Sequence, residues 1–126
     1  MKKANRWIAL GAVLGALAVA IGAFGAHALK DLLTETGRLA TFETASRYHF
    51  YHALALIGLG LSHFHFQNRY TEIAATLFIV GIAIFSGSLY LLCLTGITWL
   101  GAITPIGGVA LIAAWVLWAV GFLAKK

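Results

Sequence analysis

From Ile73 to Ala124 the chain runs for 52 residues without one charged side chain. A soluble domain could not leave such a stretch unbroken, because a core built from it would have no polar shell. A helix needs about 20 apolar residues to cross the ~30 Å hydrocarbon layer of a bilayer, so 52 residues are too many for one crossing and suit two. The break between them is legible. Thr95-Gly96 supplies a helix end, and Thr104-Pro105 a helix start with proline at the first helical position. These signals place one span at about 72–94 and another at about 105–124. The tie, Ile97 to Ile103, is apolar for a loop and reads as interfacial, with Trp99 as its anchor.

A second uncharged run, 19 residues from Ile8 to Ala26, follows the basic start Lys2, Lys3, Arg6 and the interface marker Trp7. Ala26-His27-Ala28 has the A-x-A form of a signal-peptide cleavage site, but the run exceeds the usual h-region of about 7–15 residues, so it reads as a retained first span over about 7–28. Residues 30–47 then hold six of the thirteen charged residues. They read as a short interfacial amphipathic helix, broken at Gly37 and carrying a Glu43–Arg47 pair at i,i+4. The remaining span, about 48–66, is the weakest. Its continuous apolar part is only Ala53 to Leu61, with His49 and His52 at one end and His63 and His65 at the other. Such a helix needs neighbours. One straight helix from Leu39 to Phe66 would measure about 42 Å, so a bend or a surface-lying first turn is expected.

The fold class expected is therefore an all-α integral membrane protein: four transmembrane helices packed as a small bundle, in a single domain over 1–126. A charged fraction of 10% and a mean hydropathy of +0.90 agree with that class. The formal charge of +5 does not point to nucleic acid, because the basic residues lie mostly at helix ends, where they set topology. With four crossings, Lys2, Lys3, Arg6, Arg69, Lys125 and Lys126 share one side, against Lys30, Arg38 and Arg47 on the other. The positive-inside rule then places both termini in the cytoplasm. Cys93 is the only cysteine, so no intrachain disulfide can form.

Two groups of residues stand out. Small residues recur along the first span at Gly11, Gly15, Ala18, Gly22 and Gly25, a stripe that lets another helix backbone come close. It is the first candidate surface for a homo-oligomer or a partner membrane protein. The second group is polar: His27; Arg47, Tyr48, His49 and His52; Ser86, Ser88 and Tyr90; and Thr104. Four crossings bring all of them into the outer leaflet, where they could receive a lipid or small ligand.

The blocks Gly22-Ala23-Phe24-Gly25-Ala26-His27, Arg47-Tyr48-His49-Phe50-Tyr51-His52-Ala53-Leu54-Ala55-Leu56, Phe85-Ser86-Gly87-Ser88-Leu89-Tyr90 and Thr104-Pro105-Ile106-Gly107-Gly108 resemble, in that order, those of the YgdD-like family. Its members are small four-helix membrane proteins of unknown function, bacterial with eukaryotic relatives. The resemblance implies the four-helix fold and a bacterial inner-membrane setting, and brings no catalytic residue with it.

Function is weighed on the residues. His27, His49 and His52 could together offer three imidazoles to zinc or another nitrogen-favouring metal; the plainer reading is histidines that bond backbone carbonyls, Tyr90 or the serines and hold the helices in register. His63 and His65 read as interfacial. No Asp, Glu, Lys or Arg lies within the membrane, which weakens a coupled transporter. A channel would need a polar path from the outer cluster to Asn5, His63 and Gln67. No nucleophile-turn motif is present, so no enzymatic activity and no cofactor are expected. Trp115, Trp118 and Phe122 read as a lipid-facing or interface edge. The leading expectation is a non-enzymatic membrane protein with the bilayer as its first partner.

Overall fold

The structure, a computed structural model, describes residues 2–124, and among these every regular element is helical. The elements are α1 (Lys2–His27), α2 (Lys30–Glu35), α3 (Leu39–Ser62), α4 (Arg69–Thr95), a 3-10 turn (Thr98–Ala102) and α5 (Thr104–Leu123). The two lysines counted in the charge comparison, Lys125 and Lys126, lie outside the described residues. Three of these segments are long and apolar enough to cross a membrane: Lys2–His27, Arg69–Thr95 and Thr98–Leu123. The fourth long helix, α3, carries the polar face of the bundle. At 24 residues it is about 36 Å long.

Local chemistry sets the ends. Gly37, at φ +70°, terminates α2 with Arg38 N–H donating back to the Leu33 carbonyl at 2.8 Å. Gly96, at φ +73°, does the same for α4, its N–H donating to the Leu92 carbonyl. Asn68 starts α4 through a reciprocal cap: its side chain accepts from Thr71 N–H, and the Thr71 hydroxyl accepts from Asn68 N–H. Pro105 sits in the first turn of α5.

The segment expected to lie in the interface over 30–47 is divided instead. Only Lys30–Glu35 forms a separate helix, and residues 39–47 are the opening turns of α3. The reason is burial. Leu33 of α2 is wholly buried with Phe42 of α3 and Cys93 of α4, so both stretches fold onto the bundle end. Helix α3 also stops at Ser62, one turn before Phe66.

The long helices pack in chain order, α1 on α3, α3 on α4 and α4 on α5. Glycine makes the close approaches. A Cβ on Gly11 would lie 3.0 Å from both the Ala53 carbonyl oxygen and the Ile57 nitrogen, and one on Gly60 would lie 3.0 Å from the Ile8 nitrogen. The Phe42 ring fills the space a side chain on Gly25 would need.

The small-residue stripe on α1 therefore meets α3 of the same chain at Gly11 and Gly25. Within it, Gly22 faces the Ser46 hydroxyl, while a side chain on Gly15 would meet nothing within 4 Å. The buried small residues of α1 are Ala4, Gly11, Ala18 and Gly25, spaced by seven. Gly107, Ala114 and Gly121 repeat the spacing on α5 against α4. A strict seven-residue period keeps one seam against one partner over several turns.

A central apolar core is formed by Trp7, Leu56, Leu59, Phe78, Ile82 and Leu111 with the small residues between them. A smaller one, Leu33, Phe42 and Cys93, closes the end covered by α2.

Candidate functional site

Between these two apolar clusters lies a layer of polar side chains on α3 and α4. His49, 4% exposed, places Nδ1 2.9 Å from the Tyr90 hydroxyl. Tyr90 is also within hydrogen-bonding reach of Ser46, and the buried Nε2 of His49 lies on the side of the Leu14 carbonyl of α1 without closing a bond to it. The arrangement favours the Nε2–H tautomer, with Tyr90 O–H donating to Nδ1. It links α3 to α4.

Deleting Tyr90 leaves His49 Nδ1 without a partner in a dry environment, whereas Tyr90 can still turn to Ser46; interhelical bonds in membranes average only near 0.6 kcal/mol, with a maximum of about 1.7. A double-mutant cycle of His49→Phe and Tyr90→Phe in detergent unfolding is expected to return a coupling of about 1 kcal/mol, above that average because both groups are buried.

Ser86, 1% exposed, donates to the Ala45 carbonyl of α3 at 2.7 Å. Ser88 and Thr104 meet at 2.6 Å, tying α4 to the first turn of α5. If Thr104 donates, the Ser88 proton remains for the Phe85 carbonyl at 3.0 Å. His52 bonds within its own helix, Nδ1–H donating to the Tyr48 carbonyl at 2.6 Å. Its ring is held among Tyr48, Phe78 and Trp115, with centroids 5.9–6.0 Å away. Tyr48 itself leans on Phe85 at 4.8 Å.

Two residues assigned to this cluster from the sequence are not in it. His27 is exposed at the end of α1. It is two residues past Gly25, a turn of about 200° at 3.6 residues per turn, which points it away from α3. Arg47 is two residues from both Ala45 and His49, so by the same arithmetic it faces outward, 3.8 Å from Glu43. The trio His27, His49 and His52 is thus not assembled, and among the described residues no three His, Cys, Asp or Glu side chains are grouped to hold a metal ion.

The crevices beside the layer open on the outside of the α1–α3 pair. One of about 310 Å³ is lined by Ala18, Ser46, Arg47 and Tyr51, and one of about 100 Å³ by Gly22, Phe42 and Ser46. Only Ser46 offers them a polar atom of the layer.

The opposite end holds a group that the sequence reading treated as merely interfacial. The side chain of His63, just beyond α3, is fully buried, with Nδ1 3.5 Å from Glu72. Glu72 also accepts from Gln67 at 2.9 Å and pairs with Lys3 at 3.8 Å. Burial pushes the His63 imidazole below its ordinary pKa; Glu72 opposes this shift and Lys3 adds to it. A histidine with a lowered folded pKa contributes stability that is whole above about pH 6.5 and is lost as pH falls through the folded value. The thermal midpoint in detergent is expected to fall on acidification from neutrality, and His63→Phe to flatten that slope.

Asn68 was also missed, although its Nδ2 donates to the Gly121 carbonyl at 2.8 Å and so ties the start of α4 to the end of α5. The signal was there: Asn68-x-x-Thr71 directly before an apolar run is a capping pattern.

Comparison with known proteins gives a consistent result. Residues 21–108 match the profile of a family described as a protein of unknown function, DUF423. A UPF0382 membrane protein of Staphylococcus saprophyticus is 43% identical over 115 residues, covering 91% of this chain and 94% of that one. YwdK of Bacillus subtilis, also a UPF0382 membrane protein, is 43% identical over 116 residues, 88% of this chain and 90% of that one. The UPF0382 inner membrane protein YgdD of Escherichia coli is 33% identical over 115 residues, covering 91% and 87%. No solved structure matches the chain significantly.

Proposed function

This chain belongs to the DUF423 family, whose relatives are UPF0382 membrane proteins, and from that premise we propose that it is a non-enzymatic four-crossing protein whose outer-leaflet polar layer locks the bundle. The observation that carries this reading is how the layer spends its hydrogen bonds. His49 with Tyr90, Ser86 with Ala45 and Ser88 with Thr104 each join two helices, leaving few polar atoms for a substrate. Apolar clusters above and below the layer argue against a conducting path to His63 and Gln67.

Helix α3 serves as the fourth crossing despite its polar residues, because its His49 and His52 are buried against the neighbouring helices. The proposed orientation puts both termini in the cytoplasm of a bacterial inner membrane. Lys2, Lys3, Arg6 and Arg69 face only Glu72 at the terminal end, and Lys125 and Lys126 follow in the sequence. At the α2 end only Lys30, Arg38 and Arg47 are basic, half as many. Association with a second copy or another membrane protein is part of the same reading, through faces other than the α1 stripe.

Two measurements test it. In a Cys93→Ser background, Glu35→Cys is expected to react with an impermeant maleimide in intact spheroplasts, and Lys3→Cys only after lysis; the reverse pattern overturns the orientation. Reconstituted protein is expected to pass no ion or small solute above empty liposomes. Flux abolished by His52→Ala would overturn the structural reading in favour of a channel.

A further inference from the structure

We propose that the groove between the end of α3 and the last turns of α5 holds an acyl chain of an anionic phospholipid, whose phosphate is held at Arg69 and His65. The groove, about 680 Å³, is walled by Phe66, Trp115, Trp118 and Phe122, with Ser62 and His65 at one end. It exists because α3 stops at Ser62 while α5 continues to Leu123. Gly58 adds to it by offering no side chain where the Trp118 ring lies; a Cβ there would be 3.2 Å from Cη2. From Trp115 to Leu123 the wall extends about 12 Å along the helix axis.

Charge chooses the occupant. Arg69 is exposed between Asn68, bonded to the Gly121 carbonyl, and Tyr70, whose Cβ would lie 3.3 Å from a Cβ on Gly121. That position is beside the turn of α5 that bounds the groove. Among the described residues Arg69 has no ion-pair partner, and Glu72, the single acid at this end, is engaged by Lys3 and Gln67. An apolar groove with an exposed imidazole in its lining and an uncompensated arginine on the adjoining helix start matches an acyl chain joined to a phosphate. A second copy fits less well. In the same orientation it would bring an equally basic end to this one, with like charges opposed.

The proposal rests on the helices crossing the membrane but not on the role of the polar layer, and maleimide labelling tests the crossings separately. The full chain carrying Trp7→Phe and Trp99→Phe keeps Trp115 and Trp118 as reporters. In phosphatidylcholine vesicles, a minor fraction of brominated phosphatidylglycerol is expected to quench them several-fold more than the same fraction of brominated phosphatidylcholine. Arg69→Gln should remove that preference, and Ala119→Phe, which fills the groove, should reduce quenching by both lipids. Wild-type protein, free of any tryptophan replacement, should retain phosphatidylglycerol over phosphatidylcholine in native mass spectrometry. Equal quenching with equal retention reduces the groove to ordinary lipid contact and overturns the proposal. Efficient disulfide dimers of Ala119→Cys in a Cys93→Ser background would also overturn it, assigning the groove to a second copy.

Discussion

Phe78→Ala is expected to cost about 2–3 kcal/mol of bundle stability, the largest loss from any single truncation. Phe78 is fully buried and touches rings from three directions: His52 on α3 and Trp115 and Trp118 on α5, with centroids 5.2–6.2 Å away. In soluble cores the same change costs about 3–5 kcal/mol, part of it the transfer of apolar surface out of water. In lipid that transfer contributes little, because the unfolded helices remain among apolar chains. The lost dispersion contacts and the cavity remain, which sets the expectation toward the low end. Equilibrium unfolding in mixed micelles measures it. Phe24, 57% exposed, is the control, and Phe24→Ala should stay within about 0.5 kcal/mol of wild type. A loss at Phe78 no larger than at Phe24 would mean that α3, α4 and α5 do not meet there.

Gly107→Ala should come next, at about 2 kcal/mol in the destabilising direction. By intrinsic propensity alanine in place of a helical glycine gains up to about 1 kcal/mol, so the sign itself is diagnostic. A Cβ on Gly107 would run into the backbone nitrogen of Phe85 and lie 2.8 Å from its Cα. Backbone cannot rotate aside as a long side chain can, so α4 and α5 must separate and lose the contacts along their shared seam. Gly15 and Gly87 carry nothing within 4 Å of the added atom. There the propensity gain should stand alone, and Gly15→Ala and Gly87→Ala should be neutral or slightly stabilising in the same assay. Equal responses at all three glycines would exclude the close approach of α4 to α5.

The helix punctuation could be read along the chain because its causes are local. A left-handed turn at Gly37 or Gly96 and a proline at the start of α5 act on their own backbone, whatever the partner helix. Residues 39–47 were harder. Their charges, Glu43 and Arg47, point to the surface and suggest an interfacial segment, whereas Phe42 and Ala45 of the same turns are buried against other helices. A mixed face of that kind has two readings until its neighbours are known. The candidate site divided in the same way. Ser86, Ser88, Tyr90 and His49 meet partners distant in sequence, while His27 and Arg47 share their neighbourhood along the chain and face the other way. His63 was undervalued because its setting is made by Glu72 of α4, which pairs with Lys3 of α1, and both lie far from it in the sequence or on another helix.

By itself the sequence determined residence in the membrane, the helical class and most of the points where the chain turns, since hydrophobic length and glycine or proline geometry need no tertiary context. Only the tertiary structure decided that the α1 stripe serves α3, that seven-residue spacing of small side chains selects the contact seam, and that three histidines of similar appearance have three different fates. A helix displays its faces through its periodicity, but which face is covered depends on the backbone of another helix, and that information lies tens of residues away.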